Sequence, residues 1–201
     1  MDSDDELVLS AMIKALKDGN RTIRIAAAGI VPRFGKKAIV AAPIFETWIG
    51  SNDELSHVLA AGSFLMIDPT KVDDLLPVLI DALESDDGGI KCEAIGQLEQ
   101  LGEMAADAVP ALKRLLRDHS TVSRPASDAI FEITGDPTDG VKVGVKLLDE
   151  NEWLQRCVGC EHLGLLGAKA HLAVPRLRSA LNDENEMVRN VAQAALREIE
   201  G

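Results

Sequence analysis

The chain has 201 residues, of which 46% are hydrophobic and only 3% aromatic, so it can bury a continuous core that must be aliphatic and alanine-rich. Its formal net charge of −12 argues against general nucleic-acid affinity, because phosphate binding needs a continuous basic surface. The acidic opening "MDSDDELVLS" lacks a basic flank followed by an apolar stretch, and no apolar run approaches membrane-spanning length; the expected setting is cytoplasmic, with no membrane partner.

Apolar residues recur with helical spacing, as in Val109, Leu112, Leu115 and Leu116, and no window alternates with period two over strand length. The predicted helices come in pairs across tight turns: 4–17 with 20–34, 37–50 with 53–67, 71–84 with 87–101, 104–117 with 120–134, 137–148 with 151–166, and 168–182 with 185–200. One pattern recurs at offsets of 31 to 34 residues. Its turn landmarks are Asp18, Ser51, Ser85, Asp118, Asp149 and Asp183. Eight residues earlier stand Ser10, Pro43, Pro77, Pro110, Val141 and Pro175; six residues later stand Arg24, His57, Lys91, Arg124, Gln155 and Arg189. The copies close at Gly35, Asp68, Gly102, Gly135, Gly167 and Gly201, where glycine can take the left-handed conformation that ends a helix.

Self-similarity at this period marks a solenoid, since each unit can bury its apolar face only against its neighbours. The expected fold is all-α: a right-handed α-solenoid of about six helix-turn-helix repeats, at 1–35, 36–68, 69–102, 103–135, 136–167 and 168–201, forming a single domain over 1–201. Pro110, Asp118, Val122 and Arg124, and again Pro175, Asp183, Val188 and Arg189, resemble the proline, aspartate, valine–arginine signature of HEAT repeats. The short period and alanine-rich second helix resemble the HEAT-like subgroup named after phycobilisome lyase subunits. Tetratricopeptide units fit worse, as the chain has no tyrosine, and the ankyrin Thr-Pro-Leu-His box is missing.

A turn aspartate can accept from the free N–H groups opening the second helix, with the basic residue one and a half turns further in. In stacked units the two should alternate as a ladder of charge-assisted hydrogen bonds. Copy five needs one extra residue to bring Arg156 into phase, which puts Gln155 in question as the counterpart. Charge is also uneven: residues 11–40 hold Lys14, Lys17, Arg21, Arg24, Arg33, Lys36 and Lys37 against Asp18 alone, and the stretch that follows is acidic. Such runs are either solvated faces or a bipolar surface that orients a partner.

Few residues suggest chemistry. Cys157 and Cys160 lie side by side on a helix, and with only His162 nearby they fall short of a structural zinc set, so they are read as packing residues. His57, His119, His162 and His171 fall at different places in different units and are read as surface or ladder residues. No catalytic residue, metal or cofactor is assigned. Deoxyhypusine hydroxylase, an enzyme of HEAT-like repeats, carries His-Glu dipeptides; here His57 precedes Val58, and Glu161-His162 runs in reverse. Resemblance to the lyase subgroup keeps a second reading open, an accessory or catalytic subunit in bilin (tetrapyrrole) attachment.

The first reading is a non-catalytic adaptor that binds a protein partner on the concave face lined by the second helices. Positions not needed for stacking are expected to display Arg21, Ile25, Leu55, Val58, Leu59, Glu93, Val122, Trp153, Met187, Asn190 and Val191, an apolar strip of the kind that marks a protein-binding surface. Pro32 and Pro125, inside predicted second helices, are expected to kink or restart them.

Overall fold

A computed structural model describes residues 2–116 and 122–201. Among these the regular structure is helical, in two compact units, 1–111 and 112–201. In the first unit α1 (Asp2–Ala15) pairs with α2 (Arg21–Ile30), α3 (Ala42–Ile49) with α4 (Glu54–Ile67), and α5 (Val72–Ala82) with α6 (Gly88–Leu101). A helix α7 (Val109–Leu115) follows; the second unit then pairs α9 (Thr138–Leu147) with α10 (Trp153–Leu165) and α11 (Val174–Ala180) with α12 (Glu186–Glu200), after α8 (Ser123–Thr134). Within each unit the second helices pack on one another, α2 on α4 and α4 on α6, and α10 on α12. This is the all-α repeat solenoid that the periodicity implies.

Five of the six predicted closing residues, Gly35, Gly102, Gly135, Gly167 and Gly201, have positive φ. At Gly102 the backbone sits at φ 53°, ψ −133°, a region closed to residues with a Cβ. Asp68 ends its helix differently, with φ −132° and a carboxylate that accepts from the backbone N–H and hydroxyl of Thr70. Gly102 and Gly167 open the tight 3-10 segments Gly102–Ala108 and Gly167–Ala173, and Gly35 lies within a third, Val31–Ala41; these carry the chain into the next copy.

Of the two prolines expected to kink or restart a second helix, Pro32 stands at such a restart and Pro125 does not. Helix α2 stops at Ile30, and Pro32 lies in the 3-10 segment that follows. Pro125 is the third residue of α8, which begins only at Ser123, and in a first helical turn a missing N–H costs no bond. Pro43 and Pro175 likewise sit at the start of α3 and α11.

The core is aliphatic and built around alanine. Ala28, Ala60, Ala94 and Ala192 are fully buried on the second helices α2, α4, α6 and α12, and Leu79, Leu98, Leu163 and Leu177 fill the space between helices. Small residues permit close approach of backbones, as where α9 meets α10: a Cβ on Gly159 would lie 2.9 Å from the Gly144 carbonyl oxygen.

Candidate functional site: the turn edge and the second helices

Among the described residues, three second helices carry an arginine that does one job. Nη1 of Arg24 donates to the carbonyls of Asp18 and Gly19, that of Arg156 to Glu150 and Asn151, and that of Arg189 to Asp183 and Glu184, all at 2.7–3.1 Å. The guanidinium thus satisfies turn carbonyls that have no helical partner. This geometry fixes the register of copy five: Arg156, not Gln155, is the counterpart, and Glu150, not Asp149, is the turn landmark.

The turn residue itself plays a different part from the one expected. Asp18 and Asp183 accept from the backbone N–H of Asn20 and Asn185, at 2.8 and 2.9 Å, which tightens the turn rather than capping the helix. The cap is the residue two positions on. Asn20 accepts from the Thr22 N–H, Asp87 from that of Gly89 and Asn185 from that of Met187, at 2.7–2.9 Å. A ladder rung joins two copies in the second unit: Arg156 Nε and Nη2 donate to both carboxylate oxygens of Asp183 at 2.8 and 2.9 Å, and this bond holds the Asp183 carboxyl below its ordinary range. Ser51 makes no such contact; its hydroxyl donates to the Trp48 carbonyl at 2.7 Å. Asp118 and His119 lie outside the described residues.

The expected apolar strip divides. Val58, Leu59 and Val122 are buried and belong to the core, so they cannot be displayed. The physical reason is that second helices pack on both the preceding and following copies as well as on their own first helix, which leaves a narrower open face than offset counting assumes. Ile25, Leu55, Glu93 and Val191 are half-buried. Arg21 and Asn190 are exposed, and Arg21 donates to Asp53 of the next copy at 2.9 Å. Trp153 and Met187 are exposed by 43% and 54%. Once Arg156 sets the register, the counterpart of Met187 is Leu154, 56% exposed, which sequence reasoning passed over because copy five was out of phase. Helices α10 and α12 pack together, and the Arg156–Asp183 rung ties their starting ends, so Trp153, Leu154 and Met187 share one edge. Glu152, Glu184 and Glu186 are exposed beside them.

One polar cluster is buried. His162, expected at the surface, is enclosed between α8, α9 and α10. Its Nε2 lies 3.0 Å from the Gly140 carbonyl oxygen and 3.4 Å from Ser127 Oγ, and its Nδ1 lies 3.2 Å from Asp128 Oδ1. Burial lowers the imidazole's proton affinity and raises the pKa of the Asp128 carboxyl. The order hydroxyl, imidazole, carboxylate is that of a nucleophilic triad, but the Ser127 hydroxyl is fully buried and donates to the Arg124 carbonyl at 2.8 Å. It is shut off from any substrate, and the cluster works as a packing element. Cys157 and Cys160 are also buried, as read from the sequence, and burial pushes the Cys160 thiol up to about 12, far from a reactive thiolate. Among the described residues no group of three or more His, Cys, Asp or Glu is placed to hold a metal ion, and no helix is long and apolar enough to cross a membrane.

No protein-family model matches the sequence, and no curated protein matches it. Solved structures do resemble it. An engineered protein is 20% identical over 96% of each chain, with a TM-score of 0.51. Computationally designed armadillo repeat proteins for modular peptide recognition are 19% identical over 95% of this chain and 99% of theirs, also at 0.51. The complex of CpcE and CpcF of phycocyanin lyase from Nostoc sp. PCC7120 is 19% identical over 94% of this chain and 86% of that one, at 0.45. Identities this low speak for the fold. The protein is an all-α helical-repeat solenoid.

Proposed function

We propose that the protein is a non-catalytic scaffold that holds a segment of a protein partner along the open edge of its second helices. The observation that carries this reading is the shared display of Trp153, Leu154 and Met187 at the starts of two helices packed together. Large apolar side chains grouped on an otherwise charged surface mark an interaction site, and aromatic and aliphatic anchors carry most of the energy at such sites. The flanking Glu152, Glu184 and Glu186 favour a segment that sets lysine or arginine beside an apolar residue. The similarity in fold to armadillo repeat proteins designed for peptide recognition supports the same use of this architecture.

The test is retention of partners from native lysate by the wild-type chain and by a Leu154→Ser/Met187→Ser variant of unchanged helical circular dichroism. Loss of the same retained protein from the variant supports the scaffold reading; identical retention overturns it. Incubation with a free bilin is the companion measurement, since visible absorbance that stays with the protein through gel filtration would replace this reading with the lyase-subunit one.

A further inference from the structure

We propose that the cleft between α5 and the 3-10 segment Gly102–Ala108 is a docking site for a lysine side chain of a partner protein. Leu76, Pro77, Ile80 and Met104 line this open cleft of about 380 Å³, and Asp73 and Asp107 line it too, one from each element. Both aspartates are exposed, and among the described residues neither carboxylate has a hydrogen-bond or ion-pair partner. An apolar wall and two uncompensated acids therefore meet at one place.

The neighbouring copies show what such a cleft takes. With Arg156 as the landmark of copy five, an aspartate stands seventeen residues before the basic landmark in copies three, four and five, as Asp74, Asp107 and Asp139. Two of the three have a lysine of this chain beside them. Asp139 accepts from Nζ of Lys113, on the first helix of the preceding copy, at 3.1 Å. Asp74 and Glu46 line a cleft together with Lys71. Asp107 has neither lysine. Eleven residues before the landmark, where copy four has Lys113, copy three has Ile80. Twenty residues before it, where copies two, three and six have Lys37, Lys71 and Lys169, copy four has Met104. Both of these apolar residues line the cleft, so its cation positions are apolar while its acids remain.

An alkylammonium group from outside restores what the two neighbouring clefts have built in. Its methylene stem covers Leu76, Ile80 and Met104 while its charged end reaches Asp73 and Asp107, as lysine does wherever it lies along an apolar surface. An inorganic cation would leave the apolar wall in water, and a purely apolar side chain would strip water from two carboxylates and give nothing back. Lysine is favoured over arginine because it is the residue the chain itself sets beside Asp74 and Asp139. The site lies in the first unit and does not depend on the edge formed by Trp153, Leu154 and Met187 in the second.

Methyl NMR of the full chain, read at Met104 and Ile80, tests the proposal with a capped glycine-lysine-glycine tripeptide and the same tripeptide acetylated on the lysine Nζ. The free amine should shift both methyl signals saturably, with a dissociation constant of about 1–10 mM, and the acetylated form should bind at least about fivefold more weakly. Asp73→Asn and Asp107→Asn should each raise the dissociation constant by about two- to fivefold, and added salt should raise it further. Ile80→Lys, which installs the lysine that copy four carries, should fill the cleft and abolish the response at Met104. Circular dichroism checks that this variant folds, and the two asparagine variants, at exposed positions, decide the matter if it does not. Equal responses to the two tripeptides, the lack of any saturable shift, or a response unchanged in Asp73→Asn/Asp107→Asn would overturn the proposal. Tighter binding of n-butylamine, the lysine side chain without its peptide, would overturn it as well and assign the cleft to a free amine.

Discussion

Replacing Gly62 by alanine should destabilise the protein, although an alanine inside a helix is ordinarily the better residue. Gly62 lies within α4, and a Cβ there would sit 2.0 Å from Gln97 Oε1, 2.6 Å from its Cδ and 2.8 Å from its Cβ. Contact with the Cβ of Gln97 means that rotating the glutamine cannot clear the clash. Gln97 is also buried and anchored, its Nε2 donating to Glu93 Oε1 at 2.8 Å. Helices α4 and α6 must therefore move apart, at the cost of about 1–3 kcal/mol usual for overpacking. Helix propensity returns up to about 1 kcal/mol, for a net loss of about 1–2 kcal/mol. Gly96, on α6, is the internal control: nothing lies within 4 Å of its added Cβ, so Gly96→Ala should stabilise by up to about 1 kcal/mol. Urea unfolding of the two variants, and of Gly62→Ala/Gln97→Ala, gives the comparison. Opposite signs for the two glycines, with partial recovery in the double variant, are expected. A Gly62→Ala protein as stable as Gly96→Ala would refute the close-approach argument.

Leu59→Ser should cost about 2–5 kcal/mol in the same assay, the range for emptying a core leucine site, whereas Leu154→Ser should change stability by about half a kcal/mol or less. Arg156→Lys should lower the melting temperature more than Arg24→Lys, because Arg156 adds a bidentate bond to Asp183 to the turn contacts that both arginines make; equal shifts would count against the rung. Burial depresses the His162 pKa, so below about pH 6.5 the unfolded chain binds more protons at this residue than the native state, and stability falls on acidification. The raised Asp128 pKa acts in the opposite sense at lower pH, where the native state holds the proton more tightly. His162→Gln should flatten the stability profile between about pH 7 and 5, measured as denaturation midpoints; an unchanged slope would assign the dependence to other groups.

How much of this was legible in the sequence depends on which constraint each residue obeys. Helix termini are governed by backbone geometry, and the glycines that close five copies announce themselves by type, because only glycine tolerates a backbone such as that of Gly102. Facing is governed by neighbours, and no spacing rule separates Leu59 in the core from Leu154 on the edge. His162 shows the same limit. Its slot is occupied elsewhere by isoleucine, serine, glutamine and alanine, so residue type carried no hint that the slot is a buried one.

Copy five shows what a fixed landmark costs when the chain shifts by a residue. Counting from the turn acid selects Asp149 and pairs Trp153 with Met187. The arginine's bonds to the Glu150 and Asn151 carbonyls select Glu150 instead and pair Leu154 with Met187. A turn acid can be displaced by one residue because its neighbour is also acidic, whereas a guanidinium that must reach two particular carbonyls cannot move without losing both bonds. The arginine is therefore the better ruler for aligning the copies. Aligned in that way, the copies show that the positions filled by the exposed Val8 and Ile30 in the first are buried in each of the other five.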